Sequence, residues 1–280
     1  MRPVPEPSES IARPAVAAGP PWVLVTGAAR RLGRAVSLHF ARAGWNVLAH
    51  YRHSAEAADR LRAEIQQLGQ SCHLVQADLV LPDAARRVLD TAAAELDQMP
   101  RCLVNNASLF AADDARTASA VQLQKHLSTN TVTPLLLANE LAQRVPADAA
   151  PGWHSVVHVL DQKVHNLNPD YFSYTVSKLA LAGSVALQAQ ALAPRVRVCG
   201  LSPGLMFPSG PQSQDNFDRA SRVNLLRRAI DVDDVARCAL FIAENSSING
   251  SIVQADNGQH LVPLQRDVMF AVDEAGRVRS

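Results

Sequence analysis

Between Trp22 and Tyr51 the chain reads WVLVTGAARRLGRAVSLHFARAGWNVLAHY, a run that few arrangements can accommodate. Trp22 to Thr26 has the length and apolar character of a buried strand. Gly27 opens a turn, apolar positions at helical spacing carry a helix to about Ala43, and Asn46 to His50 forms a second strand. This is a βαβ unit, and the alternation of strands and helices repeats along the chain. The expected fold is therefore one doubly wound α/β domain with helices on both faces of a parallel sheet.

The turn carries chemistry. Gly27 frees the backbone at the turn, and Gly33 lets the helix start lie close to the sheet, so that backbone N–H groups and the helix N-terminus face a phosphate. With Arg31 and Leu32 between them, these residues are expected to bind a dinucleotide. The second strand ends in His50, Tyr51, Arg52, His53 and Ser54, where the cofactor ribose is met in such folds. An acidic residue there would accept bonds from free ribose hydroxyls, whereas a basic and hydroxyl cluster suits a 2′-phosphate. The expected cofactor is NADPH. Asp78 and Leu79, after the third strand, are placed at the adenine edge, although an acidic residue there can also cap the next helix.

Tyr174 and Lys178, in YTVSK, stand at helical spacing with Asp161 thirteen residues before the tyrosine. Side chains four apart share one helix face. An ammonium about 4 Å from a phenolate is worth up to ~4 kcal/mol at an effective dielectric of ~20, enough to bring a tyrosine from ~10 to ~7 or 8. A tyrosine so lowered suits acid catalysis at cellular pH.

With these residues in view, the chain resembles the short-chain dehydrogenase/reductases, which have a Rossmann-type sheet, and among them the pteridine reductases and the bacterial dihydromonapterin and dihydrofolate reductases. The superfamily's TGxxxGxG reads TGAARRLG here, with Arg31 in place of the middle glycine. Asn105-Asn106-Ala107, followed by Ser108, Leu109 and Phe110, matches a second motif, and Asn130 in TNTVTP a third. Asp161 stands where most members carry serine and pteridine reductases carry aspartate. Ser202-Pro203-Gly204 matches the segment bordering the nicotinamide.

The resemblance spans roughly Trp22 to Leu261 and implies roles. Tyr174 donates a proton, Lys178 holds the nicotinamide ribose and lowers the tyrosine, and Asn130 positions a water or backbone group that relays protons to Lys178. Asp161 bonds Tyr174 or the pterin. Phe110 stacks on the pterin, and Ser108 and Arg31 bond its polar edge and the cofactor phosphates. Asn106, Ala107, Pro203 and Gly204 border the cofactor, while Gly204 and Leu205 lie beside the substrate. The implied reaction is NADPH-dependent reduction of a pterin to its tetrahydro form. Two alternatives stay open: an ordinary carbonyl or 3-oxoacyl reductase, and a non-catalytic NADPH-binding regulator.

Composition excludes other classes. Net charge is +1 with 48% hydrophobic residues. No basic stripe or zinc spacing suggests nucleic acid, and no long apolar run suggests a membrane span. Residues 1–21, rich in proline, read as a disordered tail, residues 22–261 as the domain, and residues 262–280 as a tail of unknown role. Cys72, Cys102, Cys199 and Cys238 lie far apart and are expected as reduced thiols in a cytoplasmic protein. His154 and His158 share a strand face too widely spaced for a metal, so none is expected.

Residues 117–145 and 171–193 read as long helices. The second is apolar over more than one face, which predicts burial in a partner. The resemblance makes that partner a further copy in a homotetramer. The polar stretch from Leu205 to Leu226 reads as a loop over the substrate, with Met206 or Phe207 closing on it.

Overall fold

Each apolar run of the alternating pattern becomes a strand of one sheet. The computed structural model describes residues 19–210 and 212–278. In chain order the major elements are β1 (Trp22–Val25), α1 (Arg31–Arg42), β2 (Asn46–Tyr51), α2 (Ala55–Gln67), β3 (Cys72–Gln76), α3 (Ala84–Glu95) and β4 (Cys102–Asn105). There follow α4 (Ala120–Leu127), α5 (Thr133–Arg144), β5 (His154–Val159), α6 (Phe172–Leu192), β6 (Val196–Pro203), α7 (Gln214–Ala220), α8 (Val232–Glu244), β7 (Ile252–Ala255) and α9 (Val268–Val278).

The strands pair in the order β3-β2-β1-β4-β5-β6-β7, every neighbour parallel. The order in which successive strands are added reverses between β1 and β4, which opens a crevice at the carboxyl edge of the sheet. Central strands of such a sheet must be apolar on both faces. On one face Val23 and Val25 pack with Phe40 of α1 and Ala239 and Ile242 of α8. On the other, Leu24, Leu48 and Val156 pack with Leu89, Leu137 and Leu141 of α3 and α5. Each such side chain contributes about 1.5–3 kcal/mol on burial.

Two segments differ from the sequence reading. The helix expected over 117–145 is interrupted by a π-helical turn, Ser128–Val132, between α4 and α5. The Thr131 hydroxyl donates to the Ser177 carbonyl and ties this turn to α6, while the Thr133 hydroxyl donates to the Leu79 carbonyl and ties the start of α5 to the loop after β3. The stretch from Leu205 to Leu226 is not all loop. Ser213 caps α7 by accepting from the Asn216 N–H, and Asn216 Nδ2 donates to the Met269 carbonyl at 2.9 Å, tying α7 to α9.

The proline-rich segment lies largely outside the described residues. All four cysteines are free, Cys238 partly exposed and the others buried, and burial pushes the Cys72 and Cys102 thiols up to about 12. His154 and His158 are buried and hydrogen-bonded to the Pro100 carbonyl and to Gln188. Among the described residues no cluster of three potential metal ligands occurs, and no helix is long and apolar enough to cross a membrane.

Candidate active site

The carboxyl ends of β1, β2, β4, β5 and β6 converge on a cavity of about 900 Å³. At its base Gly27, at φ 64, passes beneath the β4 loop, where Asn106 Nδ2 donates to the carbonyls of Thr26 at 2.9 Å and Gly27 at 3.2 Å. The Thr26 hydroxyl oxygen accepts from the backbone N–H groups of Asn106 and Ala107. Gly33 is required sterically, since a Cβ there would stand 2.1 Å from the Gly27 carbonyl oxygen. Helix α1 starts at Arg31 without a side-chain cap, so its first N–H groups are left for a ligand. Arg31 keeps the backbone of the glycine it replaces, at φ 50. That left-handed geometry costs roughly 1–2 kcal/mol for a residue with a Cβ. Its guanidinium lies 5.7 Å from the Phe207 ring centroid and donates to the Pro208 carbonyl, joining the α1 turn to the loop after β6. Leu32 and Leu79 also line this end.

The cluster after β2 divides. Arg52 lines the cavity, but its guanidinium pairs with Asp78 at 2.9 Å, so the two residues expected on the ribose and the adenine meet each other. His50 also lines it, yet both ring nitrogens are used. Nδ1 accepts from the Gly27 N–H at 3.1 Å and Nε2 lies 3.1 Å from the Ala77 carbonyl. Burial pushes its pKa down to about 4, so His50 is a neutral brace of the glycine turn and not part of a cationic cluster. Tyr51, His53 and Ser54 do not line the cavity. Tyr51 packs against Ala57 and Ala58, His53 is exposed, and Ser54 precedes α2.

At the other end Asp161, Tyr174 and Lys178 come together. Asp161 ends the loop after β5 and caps the 3-10 turn Gln162–Val164, its Oδ1 accepting from the Lys163 N–H at 2.8 Å. The Tyr174 hydroxyl donates to Asp161 Oδ2 at 2.7 Å. Lys178 Nζ donates to the Val159 carbonyl at 2.7 Å and lies 5.8 Å from the Tyr174 ring centroid.

These distances overturn the expected lowering of Tyr174. Burial, and then the Asp161 carboxylate, hold the phenol well above its ordinary value, while burial also raises Asp161 and pushes Lys178 down to about 8. The carboxyl, with the lower ordinary value, titrates first and the phenol keeps its proton. Desolvation and the neighbouring carboxylate both disfavour the phenolate.

Asn130 makes its bonds elsewhere. It is buried behind the cavity. Its Oδ1 accepts from the Leu109 N–H at 2.7 Å and the Ser108 hydroxyl at 3.2 Å, and its Nδ2 donates to the Leu109 carbonyl and the Ser177 hydroxyl. The side chain thus fastens the β4 loop to the residue preceding Lys178 and touches no lysine nitrogen. The π-helical turn that carries it is the kind of irregularity that concentrates at functional sites.

Phe110 stands over this end, stacked on Tyr171 at 4.2 Å between centroids and edge-on to Tyr174 at 4.7 Å. Ser108, Ala107, Pro203, Gly204, Leu205, Met206 and Phe207 complete the walls expected of them. Sequence reasoning missed Lys163 and Asp267, which line the same end. Lys163 lay two residues past Asp161 without a motif, and Asp267 lies in the segment read as a tail.

A family profile described as enoyl-(acyl carrier protein) reductase matches residues 27–260. The structure of FolM alternative dihydrofolate reductase 1 from Brucella canis, complexed with NADP, superposes with a TM-score of 0.79 at 35% identity, covering 86% of this chain and 94% of that one. Pteridine reductase 1 of Leishmania tarentolae is 28% identical over 86% of this chain and 96% of its own. The chloroplastic NADPH-dependent aldehyde reductase 2 of Arabidopsis thaliana is 26% identical over 90% of this chain and 98% of its own. The glycine turn, the Asp161–Tyr174–Lys178 cluster and the profile agree: the chain belongs to the short-chain dehydrogenase/reductase family.

Proposed function

We propose that this reductase converts a dihydropterin, of free pterin or folate type, to its tetrahydro form with NADPH. The observation that carries the reading is the 2.7 Å bond from Tyr174 to Asp161 beneath the edge-on ring of Phe110. A carbonyl reductase stabilises a developing oxyanion, and a carboxylate there opposes it. A ring nitrogen that gains a hydride at the neighbouring carbon needs a proton instead, and a buried carboxyl–phenol pair is built to hold one.

The cofactor is NADP(H), and the residues present fit it: the uncapped start of α1, the cradle that a Cβ at Gly33 would fill, and Arg52 at the end of β2. When bound, NADPH supplies the hydride. Backbone N–H groups after Gly27 and at the α1 start hold the pyrophosphate, and Arg52 meets the 2′-phosphate. Lys178, held by the Val159 carbonyl, binds the nicotinamide ribose hydroxyls, and its value of about 8 lets it exchange a proton near neutral pH. Phe110 offers a face for a flat bicyclic ring. Tyr174 delivers the proton and Asp161, raised by burial, replaces it.

The test is NADPH oxidation with dihydropterins, dihydrofolate, oxidised pterins and simple ketones. Turnover of the dihydro compounds and not of ketones is expected; the reverse would make the protein an ordinary carbonyl reductase. A homotetramer, with a dimer as fallback, is supported by Val132, Leu136, Leu179 and Leu187, apolar and exposed on α5, α6 and the turn before α5. The free cysteines are consistent with a cytoplasmic setting.

A further inference from the structure

The segment after β7 returns across the loop joining Asp161 to Tyr174 and is bound there by two ion pairs. Arg266 grips Asp170 through Nε at 2.9 Å, and the Asp267 N–H donates to the same carboxylate at 2.7 Å. Asp267 Oδ2 in turn lies 3.0 Å from the ammonium of Lys163, whose side chain is 4% exposed. Lys163 is seated on the turn that Asp161 caps, its own N–H bonded to the Asp161 carboxyl, and its ammonium also donates to Asn168 and lies 5.5 Å from the Tyr171 ring centroid. Asp267 and Lys163 both line the substrate end of the cavity.

We propose that Asp267 is a positioning residue for proton delivery: by holding the Lys163 ammonium to itself it keeps that cation from claiming the Asp161 carboxyl that Tyr174 occupies. Two carboxylates thus compete for one buried cation, and the C-terminal segment supplies the winner. The charged and titratable groups around Asp161 are Lys163 on its own turn, Tyr174 and Lys178 from α6, and Asp267 from the C-terminal segment, with Asp170 and Arg266 paired behind. The Lys163 backbone N–H draws Asp161 down more than any other group, whereas the Lys163 charge, held by Asp267, draws it down least, and Asp267 favours the protonated form of Tyr174. Without Asp267 the lysine's charge is left uncompensated beside Asp161. An opposite charge within about 4–6 Å lowers a carboxyl by about 1–3 pH units. The pair would then surrender its stored proton before neutral pH. The consequence for turnover rests on the pterin reading; the placement of the proton does not.

The test titrates the side-chain carboxyl carbon of Asp161 by NMR in the full-length, aspartate-labelled protein, the signal being identified by its loss in Asp161→Asn. Asp267→Asn should lower the Asp161 midpoint by about one pH unit, a tenfold change in acidity. Lys163→Met should raise it, and the double variant should lie above Asp267→Asn alone. In parallel, kcat/KM for dihydrofolate should fall with rising pH about one unit earlier in Asp267→Asn than in wild type. Singles that shift the midpoint in the same direction, or an Asp267→Asn midpoint equal to wild type, would overturn the proposal. Should Asp267→Asn fail to fold by circular dichroism, Lys163→Met decides alone, and an unchanged or lowered midpoint ends the idea. If wild type turns over no pterin while the opposed shifts are seen, the pterin reading falls and the role of Asp267 stands.

Discussion

Arg52, just past β2, and Asp78, just past β3, face each other at 2.9 Å on the rim of the cavity. Both side chains are substantially exposed, so the pair adds little stability and Arg52 can turn to an incoming phosphate. Arg52→Ala should lower kcat/KM for NADPH by about tenfold to a hundredfold, the worth of one charge-assisted bond, and leave NADH unchanged. His53→Ala, outside the cavity, should change neither. Equal losses with both cofactors would show that Arg52 acts on the fold rather than on the 2′-phosphate.

Gly33 meets its requirement through backbone, not through a side chain that could swing aside. A Cβ 2.1 Å from the Gly27 oxygen must displace either α1 or the glycine turn. Gly33→Ala should therefore destabilise by about 1–3 kcal/mol, as overpacking does, and weaken NADPH binding far beyond that loss of folding stability. Fluorescence titration of NADPH against the urea-unfolding free energy separates the two effects.

The βαβ start, the glycine turn and the spacing of Asp161, Tyr174 and Lys178 could be read from the chain because each depends on neighbours in sequence. The environment of those groups could not. Spacing alone suggested that Lys178 would lower Tyr174, whereas its acidity depends on desolvation and on the direct bond to Asp161, both products of tertiary packing. His50 looked basic within HYRHS and is neutral because β2 buries it under Gly27 and Ala77. Asp267 reaches Lys163 across more than a hundred residues, and no local pattern marks such a pair.

His50 and His158 are each held neutral by burial, with values of about 4 against an ordinary 6.5. Lowered folded values mean that the unfolded chain takes up these protons first. Stability is therefore present above about pH 6.5 and is lost as pH falls toward 4, by roughly 3 kcal/mol for each histidine. Asp161, raised by burial, acts in the opposite sense above the ordinary carboxylate range and offsets part of the loss. Urea unfolding across that window should show stability falling with nearly two protons of slope, and His158→Gln should remove close to one. A flat profile would mean that water or a charged partner already reaches these rings.

Leu179 and Leu187 leave α6 with apolar surface facing outward, and Leu136 does the same on α5. Light scattering at micromolar concentration should give the mass of four chains, or of two. Leu187→Glu should shift the distribution toward smaller species without altering the circular dichroism of the fold. A wild-type monomer would remove the proposed assembly.

In the proposed reading Asp161 decides the substrate class. Its carboxyl caps its own turn through Oδ1 and accepts the Tyr174 hydroxyl through Oδ2, so both oxygens are already aligned before any ligand arrives. Serine at this position could retain a bond to Tyr174 but could not store a proton. Asp161→Ser should therefore lose dihydropterin reduction by about ten- to a thousandfold, a range that includes the usual general acid–base contribution, with NADPH affinity little changed. Ketone reduction should appear or increase, because a hydroxyl can donate to a developing oxyanion that a carboxylate repels. Tyr174→Phe should be at least as damaging to pterin turnover and should gain nothing with ketones, since it removes the delivering group in both reactions. Full dihydropterin activity in Asp161→Ser would reduce the aspartate to a turn cap and leave the pterin assignment resting on Arg31 and Phe110 alone.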